Sequence, residues 1–248
     1  EILRCLVGSE MCIRDSCKGS ADGIRTASFG TRFPSAFPRN HRRTEEKGMK
    51  KERKTALSAD PARLKAHFER CLQAQYVHTA MGGDYAIETR GNTLYLLFEW
   101  SDGGEDWINN LDFPATPYRR MEQTWFCHRG FLRVWRALRD EVEPAVESML
   151  HRRPWIREIV CIGYSHGAAM AVLACEDMTF LYGKRLEVSG YGFGTPRVLW
   201  GPIPRAVKSR LSAFYATVCV PDLVTTVPPK WLGFRDVGIR VEIGAEKG

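Results

Sequence analysis

Ile159-Val160-Cys161-Ile162-Gly163-Tyr164-Ser165-His166-Gly167-Ala168-Ala169-Met170-Ala171-Val172-Leu173-Ala174-Cys175 is the stretch on which the reading of this chain turns. Its first part is a short apolar run of the kind that forms a strand buried on both faces. Its second part stays apolar well beyond strand length and reads as a helix over residues 166–181. Between them stands a Gly-x-Ser-x-Gly pentapeptide centred on Ser165. A serine on so sharp a strand-to-helix turn is held in a strained backbone conformation, with no room for side chains at the flanking positions. Gly163 and Gly167 meet that demand, and Ala168 and Ala169 let the helix start close to the sheet. The helix N-terminus then turns its N–H groups and positive dipole toward any oxyanion forming beside the serine. The pentapeptide alone is a weak signal; the strand before it and the helix after it give it a mechanism.

The flanking sequence alternates helix and strand signals. Asp60-Pro61 opens a helix running to about residue 77, with Leu64, Phe68, Leu72 and Gln75 or Tyr76 at helical spacing. Residues 93–100 form an apolar run between Gly91-Asn92 and Ser101-Asp102, a buried strand. Phe131, Val134, Leu138, Val142, Val146 and Leu150 mark a long amphipathic helix with Pro144 inside it. Strands are expected at residues 188–193 and 213–220, with a helix near residues 204–210 between them. Such alternation points to an α/β fold, a mostly parallel sheet flanked by helices on both faces.

Composition narrows the possibilities further. The 248 residues are 44% hydrophobic and 26% charged, values of an ordinary globular protein rather than a disordered or fibrous one. No apolar stretch is long enough to span a bilayer as a helix. The net charge of +7 is spread along the chain with acids interleaved, as in Arg139-Asp140-Glu141, and no nucleic-acid-binding pattern accompanies it. A nucleic-acid partner is therefore not expected. The eight cysteines show no CxxC pair and no zinc spacing, so neither a metal site nor a disulfide framework is expected. Free thiols in apolar runs and the lack of a secretory apolar segment lead to the expectation of a cytoplasmic protein.

Residues 1–48 show neither helical nor strand periodicity. The segment from Cys5 to Ser16 resembles a translated sequencing adapter, and Met49 followed by a basic stretch reads as the natural initiator. The expected organisation is a non-native or disordered leader over 1–48 and a single α/β domain over 49–248.

With the elbow in place, further segments fall into a familiar order: Phe98-Glu99-Trp100-Ser101 running into Asp106-Trp107-Ile108-Asn109-Asn110-Leu111-Asp112; Cys127-His128-Arg129-Gly130-Phe131; Tyr191-Gly192-Phe193-Gly194-Thr195-Pro196-Arg197-Val198; and Val220-Pro221-Asp222-Leu223-Val224 before Val227-Pro228-Pro229. Together they resemble the class 3, fungal-type lipases of the α/β-hydrolases. The resemblance implies an ester hydrolase acting on acyl esters of lipids through an acyl-enzyme, without metal or organic cofactor. It implies Ser165 as nucleophile, Asp222 as the partner of the catalytic imidazole, and an oxyanion hole made by Ser101 and the backbone N–H of His166. Trp107, Ile108 and Leu111 resemble an amphipathic lid, with transient contact to a lipid surface, and His128 a structural histidine. The chain departs from the family at Glu99-Trp100, where an Arg-Gly pair is usual. None of its six histidines follows Asp222, and Gly233-Phe234-Arg235 leads to Asp236 where a histidine often stands. The expectation is a hydrolase truncated before its catalytic histidine and impaired as written. The competing expectation is a non-catalytic lipid-binding protein of the same fold.

Overall fold

The computed structural model describes residues 12–14, 60–79, 83–99, 114–119, 124–219 and 224–244. In chain order these form β1 (Cys12–Arg14), α1 (Pro61–Gln73), β2 (Val77–His78), β3 (Asp84–Arg90) and β4 (Thr93–Glu99). β5 (Ala115–Tyr118) and β6 (Trp125–His128) lead into α2 (Arg129–Arg152). Then come β7 (Glu158–Tyr164), α3 (His166–Tyr182), β8 (Glu187–Phe193), β9 (Leu199–Trp200), α4 (Arg205–Arg210) and β10 (Phe214–Cys219). Two single 3-10 turns, Val224–Thr226 and Lys230–Leu232, precede β11 (Phe234–Arg235) and β12 (Ile239–Gly244).

The larger sheet runs β1-β12-β10-β8-β7-β4-β3-β2. From β12 to β4 every pairing is parallel; β3, β2 and β1 add antiparallel edges. Strand alternation sends Ile159 and Cys161 of β7 into the core under α2 and α3, and Val160 and Ile162 into the core under α1. This is the mostly parallel, helix-flanked sheet that the sequence pattern implies. A second, antiparallel sheet, β11-β9-β6-β5, stands beside it.

Several element boundaries differ from expectation for identifiable reasons. The first helix begins as its Asp60 cap suggests, the carboxylate accepting from the Arg63 N–H at 3.1 Å. It stops at Gln73, because Val77 and His78 pair with Tyr85 and Asp84 instead of continuing the helix. Its apolar stripe is Leu64, Phe68 and Cys71; Leu72 is 42% exposed. Pro144 does not break α2, since it sits on the exposed side where water can take up the backbone group it leaves unbonded. Of residues 1–48 the described part is β1, which pairs antiparallel with β12.

Helix α3 is buried at every position from 166 to 178, as expected of a helix apolar all round. Its two acidic residues need internal partners at that depth. Asp177 accepts from the Tyr118 hydroxyl at 2.6 Å and from Trp135 Nε1 at 3.0 Å, joining β5 and α2 to α3. Glu176 accepts from Arg210 Nε at 2.5 Å, although burial still pushes its carboxyl up to about 7.

Candidate active site

β7 lies in the interior of the larger sheet, between β4 and β8, and its last residue, Tyr164, is followed at once by Ser165. Ser165 adopts φ 53° and ψ −117°, and among the described residues it is the one non-glycine with positive φ. Side chains avoid that region at a cost of about 1–3 kcal/mol, so the surrounding structure must impose it. The constraints are visible. The Ser165 N–H donates to the Phe193 carbonyl at the end of β8 (2.8 Å), and the Ser165 carbonyl accepts from the Ala168 N–H (3.0 Å). A Cβ on Gly163 would stand 2.1 Å from the Gly167 carbonyl oxygen, and one on Gly167 would stand 2.1 Å from that of Phe98. Both glycines are therefore required by close backbone approach. The Ser165 side chain makes no cap hydrogen bond to α3, so its hydroxyl is not consumed by the helix it precedes.

His166 opens α3 with its side chain buried, 5.3 Å from the Phe131 ring. Burial, aided by nearby His128, pushes its imidazole down to about 3, so the ring is neutral at ordinary pH. His128 is buried too, and caps α2 by accepting the Phe131 N–H at 3.3 Å. Its ring packs on Phe131 (4.2 Å) and Phe234 (5.8 Å). Among the described residues no three His, Cys, Asp or Glu side chains gather where they could hold a metal ion.

Two of the four expected site residues, Ser101 and Asp222, lie outside the described residues, as do Trp107, Ile108 and Leu111 of the expected lid. The strands leading toward them are described. β4 ends at Glu99 next to the elbow, with Phe98 in register with Gly163. β10 ends at Cys219, beside β8. Strand ends on this edge of an α/β sheet are where such folds gather functional groups.

Sequence reasoning did not single out Arg197. This buried arginine donates through Nε to Asp236 Oδ1 (2.7 Å), through its guanidinium to the carbonyls of Pro228 (3.1 Å) and Thr226, and through its backbone N–H to Val227 (2.9 Å). It thereby grips the segment that follows Asp222 in the chain. Burial opposes ionisation of Asp236, but hydrogen bonds from Lys230 and Arg197 outweigh it and hold the carboxyl below its usual range. The available signal was one cation inside the otherwise uncharged stretch from 188 to 204.

A serine strained into the left-handed region between two obligate glycines, at a strand–helix junction of a parallel sheet, defines the α/β-hydrolase class. Within that class, the model of the family described as Lipase (class 3) matches residues 95–231, and the chain belongs to this family. It is 29% identical over 161 residues to the lipase of Rhizomucor miehei, covering 62% of this chain and 43% of that protein. It is 24% identical over 159 residues to secreted mono- and diacylglycerol lipase 1 of Fusarium solani, covering 63% and 46% respectively. The crystal structure of the lipase from Rhizopus microsporus var. chinensis superposes with a TM-score of 0.61 at 26% identity, over 68% of this chain and 60% of that one. The chain thus spans less than half the length of these two curated relatives.

The comparisons overturn the expectation of a cytoplasmic protein, because the mono- and diacylglycerol lipases it resembles are secreted. Neither observation behind that expectation discriminates between compartments. Cys71, Cys127, Cys161 and Cys175 are free but buried, and burial pushes the Cys71 thiol up to about 12, so such groups resist oxidation anywhere. A secretory signal is in any case removed from the mature protein.

Proposed function

We propose that the protein is a serine ester hydrolase of the triacylglycerol lipase or esterase type, working outside the cell on acyl esters of lipids. The observation that carries this reading is the backbone of Ser165, held at φ 53° between Gly163 and Gly167. Ser165 Oγ adds to the ester carbonyl as its proton passes to an imidazole. The alcohol leaves with that proton, and water then releases the acid from the acyl-enzyme. The backbone N–H of His166, at the start of α3, and Ser101 stabilise the oxyanion; Asp222 orients the imidazole. The grip of Arg197 on residues 226–236 supports Asp222 in that role by fixing the chain just beyond it.

The test is hydrolysis of p-nitrophenyl butyrate by the protein. Turnover that disappears in Ser165→Ala supports the reading, and turnover that survives it overturns the role of Ser165.

A further inference from the structure

The end of the larger sheet remote from Ser165 carries cations that the fold does not use. Where α2 gives way to β7 the chain reads His151-Arg152-Arg153-Pro154-Trp155-Ile156-Arg157, a basic run broken by one large aromatic ring. Arg157 is the hinge of this run: its N–H donates to the Asn92 carbonyl (2.8 Å), and its carbonyl accepts from the Glu187 N–H (2.9 Å). It thereby enters an open groove of about 450 Å3 that Asn92, Lys184 and Arg185 also line. Arg152, Arg157, Lys184 and Arg185 are exposed, and Trp155 is 55% exposed on the same turn.

This charge is not compensated from within. Among the described residues no carboxylate pairs with Arg152, Arg153, Arg157, Lys184 or Arg185. Glu158 and Glu187 also line the groove, but Glu158 already receives the Thr93 hydroxyl (3.0 Å) and faces Arg63 (3.7 Å). Two of the guanidinium groups are held in place. Arg157 donates to the carbonyls of Pro154 (2.6 Å) and Ile156 (2.9 Å), and Arg185 lies 5.6 Å from the centre of the Tyr182 ring. A cation fixed beforehand loses less freedom on meeting an anion, and the guanidinium fork matches the paired oxygens of a carboxylate or sulfate. The location separates this face from the chemistry. The groove lies at the first residue of β7 and Ser165 follows the last, about 20 Å away along a strand of seven residues.

We propose that this face binds an acidic polysaccharide, bearing sulfate or uronate groups, and tethers the protein by the end remote from Ser165. Clustered arginine and lysine suit the anions of such a polymer, Trp155 offers a flat apolar face to a sugar ring, and Asn92 offers an amide to its hydroxyls. The choice of a polysaccharide over a nucleic acid rests on the extracellular placement proposed above. The full chain should stay on immobilised heparin to a higher salt concentration than on a sulfopropyl exchanger, which presents charge without sugar. Arg152→Ala combined with Lys184→Ala should weaken binding of a heparin octasaccharide about tenfold. Both side chains are exposed, so the core is left alone. Arg133→Ala combined with Arg136→Ala removes two charges from the other end of α2 and should change that binding by less than about twofold. Trp155→Ala should weaken it about threefold while leaving elution from the sulfopropyl exchanger as it was. Ser165→Ala should bind heparin as the unaltered chain does, so hydrolysis surviving that change would refute the enzymatic reading and leave the heparin result standing. The proposal is overturned if heparin holds the unaltered chain no longer than the exchanger does, or if the two double variants weaken binding alike. Tighter binding of duplex DNA than of heparin at equal charge would also overturn it, by making the face a nucleic-acid site.

Discussion

Gly167 rests on Phe98: a methyl group in place of its α-hydrogen would stand 2.1 Å from the Phe98 carbonyl oxygen. The turn after Ser165 is thus in backbone contact with the end of β4, the strand whose continuation carries Ser101. Gly167→Ala must push these two segments apart. Overpacking against backbone costs about 1–3 kcal/mol, which lowers the melting temperature by about 2–12 °C in a domain of this size. Calorimetry checks this, and an unchanged melting temperature would remove the close approach from the account of the elbow.

Arg197→Met should loosen the segment beyond Asp222. It strips donors from the Thr226 and Pro228 carbonyls and leaves Asp236 with Lys230 alone. Asp236 is partly exposed, so the loss is set at about 1–3 kcal/mol. The diagnostic result is faster proteolytic cleavage within residues 224–236, with cleavage elsewhere unaltered. Arg197→Lys should restore only part of the protection, because an ammonium cannot reproduce the guanidinium fork that reaches three acceptors.

His166 makes stability fall in acid. Its imidazole, depressed by burial to about 3, stays neutral in the folded chain while the unfolded chain takes up a proton near the ordinary value of 6.5. The unfolded state therefore binds more protons below that value, and this group withdraws about 1.4 kcal/mol per pH unit as pH falls from 6.5 toward 3. His166→Leu should flatten the loss. Urea unfolding at pH 7 and pH 5 measures it; equal pH dependence in the two proteins would contradict the assignment.

The elbow was legible because its determinants are adjacent in sequence: an apolar strand, two glycines at fixed offsets, and a helix apolar enough to be buried. The parallel sheet followed from the same local patterns. The smaller sheet was not legible. β9 and β11 are two residues each, too short for any period, and form through distant pairing: Trp200 and Leu199 find Phe126 and Cys127 on one side and Phe234 and Arg235 on the other, each more than thirty residues away in the chain. β3 escaped for a related reason, since Asp84-Tyr85-Ala86-Ile87-Glu88-Thr89-Arg90 is polar at both ends and owes its conformation to pairing with β4. Arg197 was quoted as part of a motif, yet its partners are 29 to 39 positions away and no spacing rule connects them.

Because α3 is packed on every side from 166 to 178, it has no free surface on which variation could accumulate without cost. Ser165 is thus mounted at the head of the least editable stretch among the described residues. Divergence between relatives that keeps this serine in place must spare the helix behind it and fall on elements with one face in water, such as α2, where Arg133, Arg136 and Asp140 stand exposed.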